Sequence, residues 1–355
     1  MTLVPPLEPP TDFDAYWAGT LAELDRIPFD VREEDAALGA YPTASAATAP
    51  PSSPAASRAV SGRPASQSPP ATPGEPPVRV TRLTYASLGG VRPAGWLFRP
   101  RAVPAEGALL FLPGYSATCG AAVIQAVLAQ LAEAGFAVLA VDPRGQGASR
   151  AAHVPAPEGK IVTGVLDPRA YIYRGIAADC VRAAQVLAAL TGFAKVGVLG
   201  HSQGGGLSLL TASLAGELVG AVGCVIPFLT HMAAALAERA LTGPYREVYD
   251  YARNHPEALP ALRRSLGYID TLNHAPRVAA PTLVSVGLRD TTCPPPTVYA
   301  LFERLRCTRS LLVLPETGHE HVPAFYHHEV AWFRRFLRPE PPGGCTLENL
   351  GLLQS

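Results

Sequence analysis

The sequence predicts an α/β fold, a mostly parallel central sheet with helices on both faces. Two observations carry this. From residue 108 onward, short apolar runs rich in β-formers alternate with longer segments of helical periodicity, the signature of repeated βα units. The clearest unit is residues 195–206, where Lys195-Val196-Gly197-Val198-Leu199 breaks at Gly200-His201-Ser202-Gln203-Gly204 and resumes as a helical pattern. This is strand, sharp turn, helix, and the small residues on either side of Ser202 let the backbone fold tightly and push the hydroxyl outward.

Taken in order, residues 11–27 place Phe13, Tyr16, Trp17, Leu21 and Leu24 at helical spacings behind a Thr11-Asp12 start signal, so an amphipathic helix is expected within an N-terminal helical extension, 1–41. The segment 42–77 holds 10 Pro, 9 Ala and 7 Ser in 36 residues, and is expected to be a disordered linker or surface insertion, because it has little to bury and resists both helix and sheet. The main domain spans 78–340, followed by a tail, 341–355. It opens with an alternating run 78–85, a Gly89-Gly90 turn and a second run 95–99, an antiparallel hairpin. Strands follow at 108–112, 136–141, 195–199, 221–226, 281–287 and 310–314. Helices are expected at 121–133, 171–190, after Ser202 and at 322–337, with a longer helical stretch 230–274 of the kind that covers a sheet edge.

With 355 residues, 48% of them hydrophobic, the chain can bury a sizeable core. Lys plus Arg and Asp plus Glu both total 29, so no basic surface points to nucleic acid, and small neutral partners fit best. The start lacks a basic stretch followed by an apolar one, and no apolar run reaches membrane-spanning length, so a soluble cytoplasmic protein with no membrane partner is expected. Six cysteines without a C-x-x-C pair suit reduced core thiols rather than disulfides or a metal site.

A serine hydroxyl is a poor nucleophile, so Ser202 needs a base within reach and a carboxylate to orient that base. Asp290 follows the strand at 281–287, and His319 follows the strand at 310–314. The order Ser202, Asp290, His319 is that of the α/β-hydrolase fold, with acid and base each in a loop after a strand. Asp290 has a plainer role open to it as a helix cap before Pro294, and Glu316 is the rival acid on the loop of His319. A metal site joining His319 with His321, His327 or His328 is the other alternative; neither metal nor cofactor is called for. His201 is expected to pack in the turn. The oxyanion needs donors, assigned to the backbone amides of Gln203 and of Tyr115 in the loop Pro113-Gly114-Tyr115-Ser116. Asp142-Pro143-Arg144-Gly145-Gln146-Gly147 lacks the third glycine of a dinucleotide loop, since Arg150 stands there, and Arg144 is expected to anchor the loop.

At these residues the sequence resembles the acetyl xylan esterase/cephalosporin-C deacetylase family, carbohydrate esterase family 7. The shared stretches include Phe13-Asp14-Ala15-Tyr16-Trp17, Arg144-Gly145-Gln146-Gly147, Gly164-Val165-Leu166-Asp167-Pro168, Gly200-His201-Ser202-Gln203-Gly204-Gly205-Gly206, Pro227-Phe228-Leu229, Gly287-Leu288-Arg289-Asp290 with Cys293-Pro294-Pro295, and His319-Glu320. The resemblance implies an α/β-hydrolase that removes acetyl groups from small esters such as acetylated xylo-oligosaccharides and cephalosporin C. It implies Ser202, Asp290 and His319 as the triad, Tyr115 and Gln203 as oxyanion donors, and Arg144, Gly145 and Gln146 as a structural signature. Tyr115, Pro227 and Phe228 would then line the substrate pocket, and a homo-oligomer, in the family commonly a hexameric ring, is implied as well. The 42–77 segment is not a family feature.

Overall fold

The apolar runs become strands with their leucines and valines shared between two faces. In the computed structural model, residues 8–36, 58–59, 76–101, 103–320 and 323–337 are described. They hold β1 (Arg32–Ala36), β2 (Arg58–Ala59), β3 (Val78–Thr84), β4 (Ala94–Pro100), β5 (Gly107–Leu112), β6 (Phe136–Asp142), β7 (Val196–His201), β8 (Val219–Val225), β9 (Thr282–Gly287) and β10 (Arg309–Leu314). One sheet contains them all in the order β10-β9-β8-β7-β5-β6-β4-β3-β1-β2. Pairs from β10 to β6 are parallel, and those from β6 to β2 are antiparallel. The expected hairpin is β3 with β4, Val78 facing Pro100.

Because side chains alternate along a strand, neighbours feed opposite layers. Leu110, Leu139 and Val198 enter one core with α3 (Ile172–Thr191) and α4 (Gln203–Ala215). Leu109, Val138 and Leu199 enter the other with α2 (Ala122–Glu133) and α10 (Pro323–Leu337). Both faces are therefore covered, as parallel strands require.

The N-terminal helix α1 (Phe13–Asp25) buries Phe13, Trp17 and Leu24, and the Trp17 indole donates to the Tyr268 carbonyl at 3.2 Å. Its aromatic stripe is packing. Strand β1 had no signal, since Arg32-Glu33-Glu34-Asp35-Ala36 is almost wholly charged. It pairs with β3 through backbone bonds, while Arg79 meets Asp35 at 2.8 Å and Arg99 meets Glu33 at 3.3 Å. Apart from β2, which pairs with β1, the Pro/Ala/Ser segment through residue 75 lies outside the described residues, as does the 341–355 tail.

The 230–274 stretch is four helices, α5 (Met232–Ala237), α6 (Pro244–Asn254), α7 (Leu259–Ile269) and α8 (Thr271–His274). Its packing falls on α4, on α9 (Pro295–Arg304) and on the turn Lys160–Val162. Among the described residues no helix is long and apolar enough to cross a membrane, and Cys119, Cys180, Cys224, Cys293 and Cys307 are free thiols.

Register decides where chemistry can gather. Leu112 lies opposite Gly200, His201 opposite Val225, and Leu314 opposite Gly287. The loops after β5, β7, β8, β9 and β10 thus leave from one line across the sheet, and β5, where strand order reverses, opens the crevice that such sheets use for ligands.

Candidate active site

Ser202 sits between β7 and α4 with φ +56° and ψ −115°, a conformation that side chains rarely adopt. It is held by its neighbours: its N–H donates to the Val225 carbonyl at 2.9 Å, and its carbonyl accepts from the Phe228 N–H at 2.9 Å. The close approach that makes the turn depends on glycine. A Cβ on Gly204 would lie 1.9 Å from the Leu112 carbonyl oxygen, and one on Gly200 would lie 2.5 Å from the same atom. Gly204→Ala is therefore expected to force α4 away from β5 and to destabilise the protein by about 1–3 kcal/mol, the range for overpacking. A urea unfolding midpoint unchanged in that variant would show that the turn has room.

Ser202 Oγ lies 2.9 Å from His319 Nε2, and His319 Nδ1 lies 2.8 Å from Asp290 Oδ2. The Asp290 side chain is fully buried, and its other oxygen accepts from the Thr292 and Cys293 amides at 2.8 and 2.7 Å. One carboxylate oxygen thus closes a local turn, the plainer role open to it, while the other faces the imidazole. Glu316 instead pairs with Arg289 on the surface. His327 and His328 are exposed on α10, and His321 lies outside the described residues. Asp290, Cys293 and His319 do bring three possible ligand atoms within 4.8 Å of one another, but both Asp290 oxygens already hold hydrogen bonds and burial pushes the Cys293 thiol up. His201 packs beside the site, its ring 5.4 Å from that of His319.

Gln203 is the first residue of α4, so its amide is one of the helix-start N–H groups that have no intrahelical acceptor. Across from it, the loop after β5 is held by its carbonyls. Gln146 Nε2 donates to the Gly114 and Ala117 carbonyls at 2.5 and 2.6 Å. No peptide bond among the described residues is cis, and in a trans peptide the C=O and N–H point in opposite directions. Pinning the Gly114 oxygen therefore aims the Tyr115 N–H the other way. The amide orientation of Gln146 is itself set, because its oxygen accepts from Gln203 Nε2 at 3.0 Å and from Lys160 Nζ at 2.7 Å. Gln203 is set in turn by the Tyr173 hydroxyl, which donates to its Oε1 at 2.8 Å.

Arg144 anchors its loop through a buried two-point pair with Asp179, at 2.7 and 2.9 Å, and donates also to the Leu88 carbonyl at 2.8 Å. Gly145, at φ +75°, turns the chain between Arg144 and Gln146. Beyond β8, Ile226, Leu229 and His231 all have positive φ, so with Ser202 they make up four of the five non-glycine residues in that region among the described residues. Such strain persists where surroundings over-determine it. Here Asp270, pushed up to about 6 by burial, accepts from the His231 and Met232 amides at 3.0 and 2.7 Å. Pro227 and Phe228 sit in this strained segment, both buried, and the Phe228 ring meets Tyr115 edge-on at 6.1 Å. The Tyr115 hydroxyl donates to Glu247 at 2.6 Å and accepts from the Ile161 amide at 2.8 Å. Lys160, Asp179, Glu247 and Asp270 carried no signal in the sequence, since each is an ordinary polar residue whose partners lie far away along the chain.

The acetyl xylan esterase (AXE1) family profile matches residues 69–336. The solved structure of an acetyl xylan esterase from Paenibacillus sp. R4 is 27% identical with a TM-score of 0.75, covering 94% of this chain and 97% of that one. Acetyl xylan esterase 1 from Thermoanaerobacterium sp. JW/SL YS485 is 25% identical, also at 0.75, covering 93% and 95%. Acetyl esterase Axe7A of Xylanibacter ruminicola is 29% identical over 181 residues, 50% of this chain; the match spans 39% of that longer protein. With a site of this geometry on an α/β-hydrolase sheet and a family profile matched over most of its length, the chain belongs to the acetyl xylan esterase family of serine carboxylesterases.

Proposed function

We propose that the protein hydrolyses acetyl esters of small substrates, acetylated xylo-oligosaccharides and cephalosporin C type esters among them, through an acyl-enzyme on Ser202. The observation that carries this is the unbroken line Ser202 Oγ, His319 Nε2, His319 Nδ1, Asp290 Oδ2, at 2.9 and 2.8 Å. His319 takes the Ser202 proton as Oγ attacks the acetyl carbonyl, and Asp290 holds the imidazole in the tautomer that can accept it. The oxyanion rests on the Tyr115 and Gln203 amides. As the tetrahedral intermediate collapses, the C–O bond to the sugar breaks and His319 returns the proton to the leaving alcohol. Water, deprotonated by His319, then attacks the acyl carbon; as the C–Oγ bond breaks, His319 returns that proton to Ser202 Oγ and acetate is released.

The choice of acetyl over longer chains is read from close packing next to Ser202: Phe228, whose amide donates to the Ser202 carbonyl, is fully buried, beside the buried Pro227 and the half-buried Tyr115. An aromatic ring fixed edge-on between Tyr115 and Tyr245, 6.1 and 4.7 Å away, leaves a long acyl chain no side chain that moves cheaply. The test is a panel of p-nitrophenyl esters from acetate to octanoate, run with fluorophosphonate labelling of the folded protein. Labelling at Ser202 with kcat/KM falling at least tenfold from acetate to octanoate is expected. Preference for octanoate would make this an esterase for longer acyl chains, and folded protein that neither labels nor turns over would be a silent hydrolase-like scaffold.

A further inference from the structure

Lys160 is only 7% exposed, and it lies in a short turn outside any residue assigned to catalysis. Its ammonium donates to the Tyr115 carbonyl at 2.7 Å and to Gln146 Oε1 at 2.7 Å, and it sits 4.2 Å from the centre of the Tyr115 ring. All three acceptors are neutral. The charged groups that face it are Glu247 from α6 and Asp142 from the end of β6, and among the described residues it forms an ion pair with neither. Glu247 is turned to the Tyr115 hydroxyl, and Asp142 to Thr118 and the amides of Cys119 and Ala148. A buried cation without a carboxylate partner is costly, so its placement calls for a purpose other than stability.

We propose that Lys160 is a positioning residue for the oxyanion donor: its ammonium locks the carbonyl side of the loop after β5, so that the Tyr115 amide stays aimed at the reacting carbonyl. The lock has two arms. One holds the Tyr115 carbonyl directly, and the other fixes the Gln146 amide whose nitrogen pins the Gly114 oxygen of the peptide that carries the Tyr115 N–H. Both arms need protons on the same nitrogen, and the ring face of Tyr115 favours it charged. This rests on the Tyr115 amide being an oxyanion donor, as set out above.

Burial pushes the Lys160 proton affinity down, to about 7. Below that pH the ammonium and its lock are complete; above it the nitrogen keeps two donors, loses its charge and the lock weakens. Stability runs the other way. Because the folded protein releases this proton more readily than the unfolded chain, the buried charge costs stability at and below about pH 7, and the cost fades as pH rises toward the ordinary lysine value. A residue that only supports the fold would lower stability when removed. One that positions a donor lowers kcat and leaves stability equal or raised.

The full-length protein is assayed on p-nitrophenyl acetate across pH 6–10 as wild type, Lys160→Met, Lys160→Arg and Ser202→Ala. Lys160→Met is expected to lose about 10- to 100-fold in kcat with KM changed less than threefold, less than the loss of a donor outright, because the oxyanion forms only in the transition state. Its urea midpoint at pH 6 should equal or exceed that of the wild type. The wild-type kcat should show an alkaline decline that is absent in Lys160→Met, and Lys160→Arg, charged throughout, should restore part of the kcat without that decline. Wild-type kcat in Lys160→Met, or a lowered urea midpoint with unchanged kcat per folded molecule, overturns the proposal. If Lys160→Met does not fold, a wild-type profile with no alkaline decline overturns it. Activity surviving in Ser202→Ala would instead remove the acyl-enzyme reading beneath it.

Discussion

Ser202→Ala is expected to lower turnover of p-nitrophenyl acetate about 10⁶-fold, the loss seen when a serine nucleophile is removed from a triad that works as a unit. The fold should not suffer. The strained backbone at φ +56° is held by bonds to the Val225 carbonyl and from the Phe228 amide, and alanine keeps both. Removing Oγ deletes the hydrogen bond to His319 Nε2, on an imidazole whose other nitrogen stays fixed by Asp290. Circular dichroism and the urea midpoint should therefore match the wild type while activity vanishes. A variant within tenfold of wild-type kcat would take Ser202 out of the chemistry.

Arg144→Met is expected to destabilise the protein by about 3–5 kcal/mol, the usual cost of breaking a buried ion pair from one side. The Asp179 side chain is fully buried and that of Arg144 is 8% exposed, so the abandoned carboxylate would have little access to water. It would keep the Ser87 hydroxyl at 2.5 Å and the amide of residue 144. These are too few donors to replace a guanidinium. The companion Asp179→Leu, combined with Arg144→Met, should recover much of the loss, since a well-packed apolar pair can stand in for a buried ionic one. Urea unfolding of the two single variants and the double gives the coupling. Strictly additive losses would mean that Arg144 acts only by packing. Activity should fall with stability in the single variant, because Gln146, two residues on, pins the loop after β5 through the Gly114 and Ala117 carbonyls.

Much of this was legible in the chain because the signals are local. Gly200-His201-Ser202-Gln203-Gly204 marks a turn by glycines that cannot bear a Cβ, and the structure gives the reason in the Leu112 carbonyl pressed against Gly204. Asp290 and His319 were found by a rule of place, one loop after each of two strands. Glu316, the rival acid, fits that rule less well, because it lies three residues from His319 on the same loop. What separates them is that the loop after β9 turns Asp290 inward onto His319, while Glu316 finds Arg289 in solvent. Strand β1 was missed because its residues are charged and its partner β3 lies more than forty positions away.

By itself, then, the sequence determined the alternation of strands and helices, the sharp glycine turn around Ser202, and the order in which chemical groups follow strand ends. These depend on propensities and steric limits within a few residues. Only the tertiary structure decided which carboxylate faces the imidazole, which carbonyls are pinned so that the Tyr115 amide is aimed, and that a buried ammonium at Lys160 does part of that pinning. Each of those is a contact between segments brought together by sheet register, and hydrogen bonds act over about 3 Å of space whatever the separation along the chain.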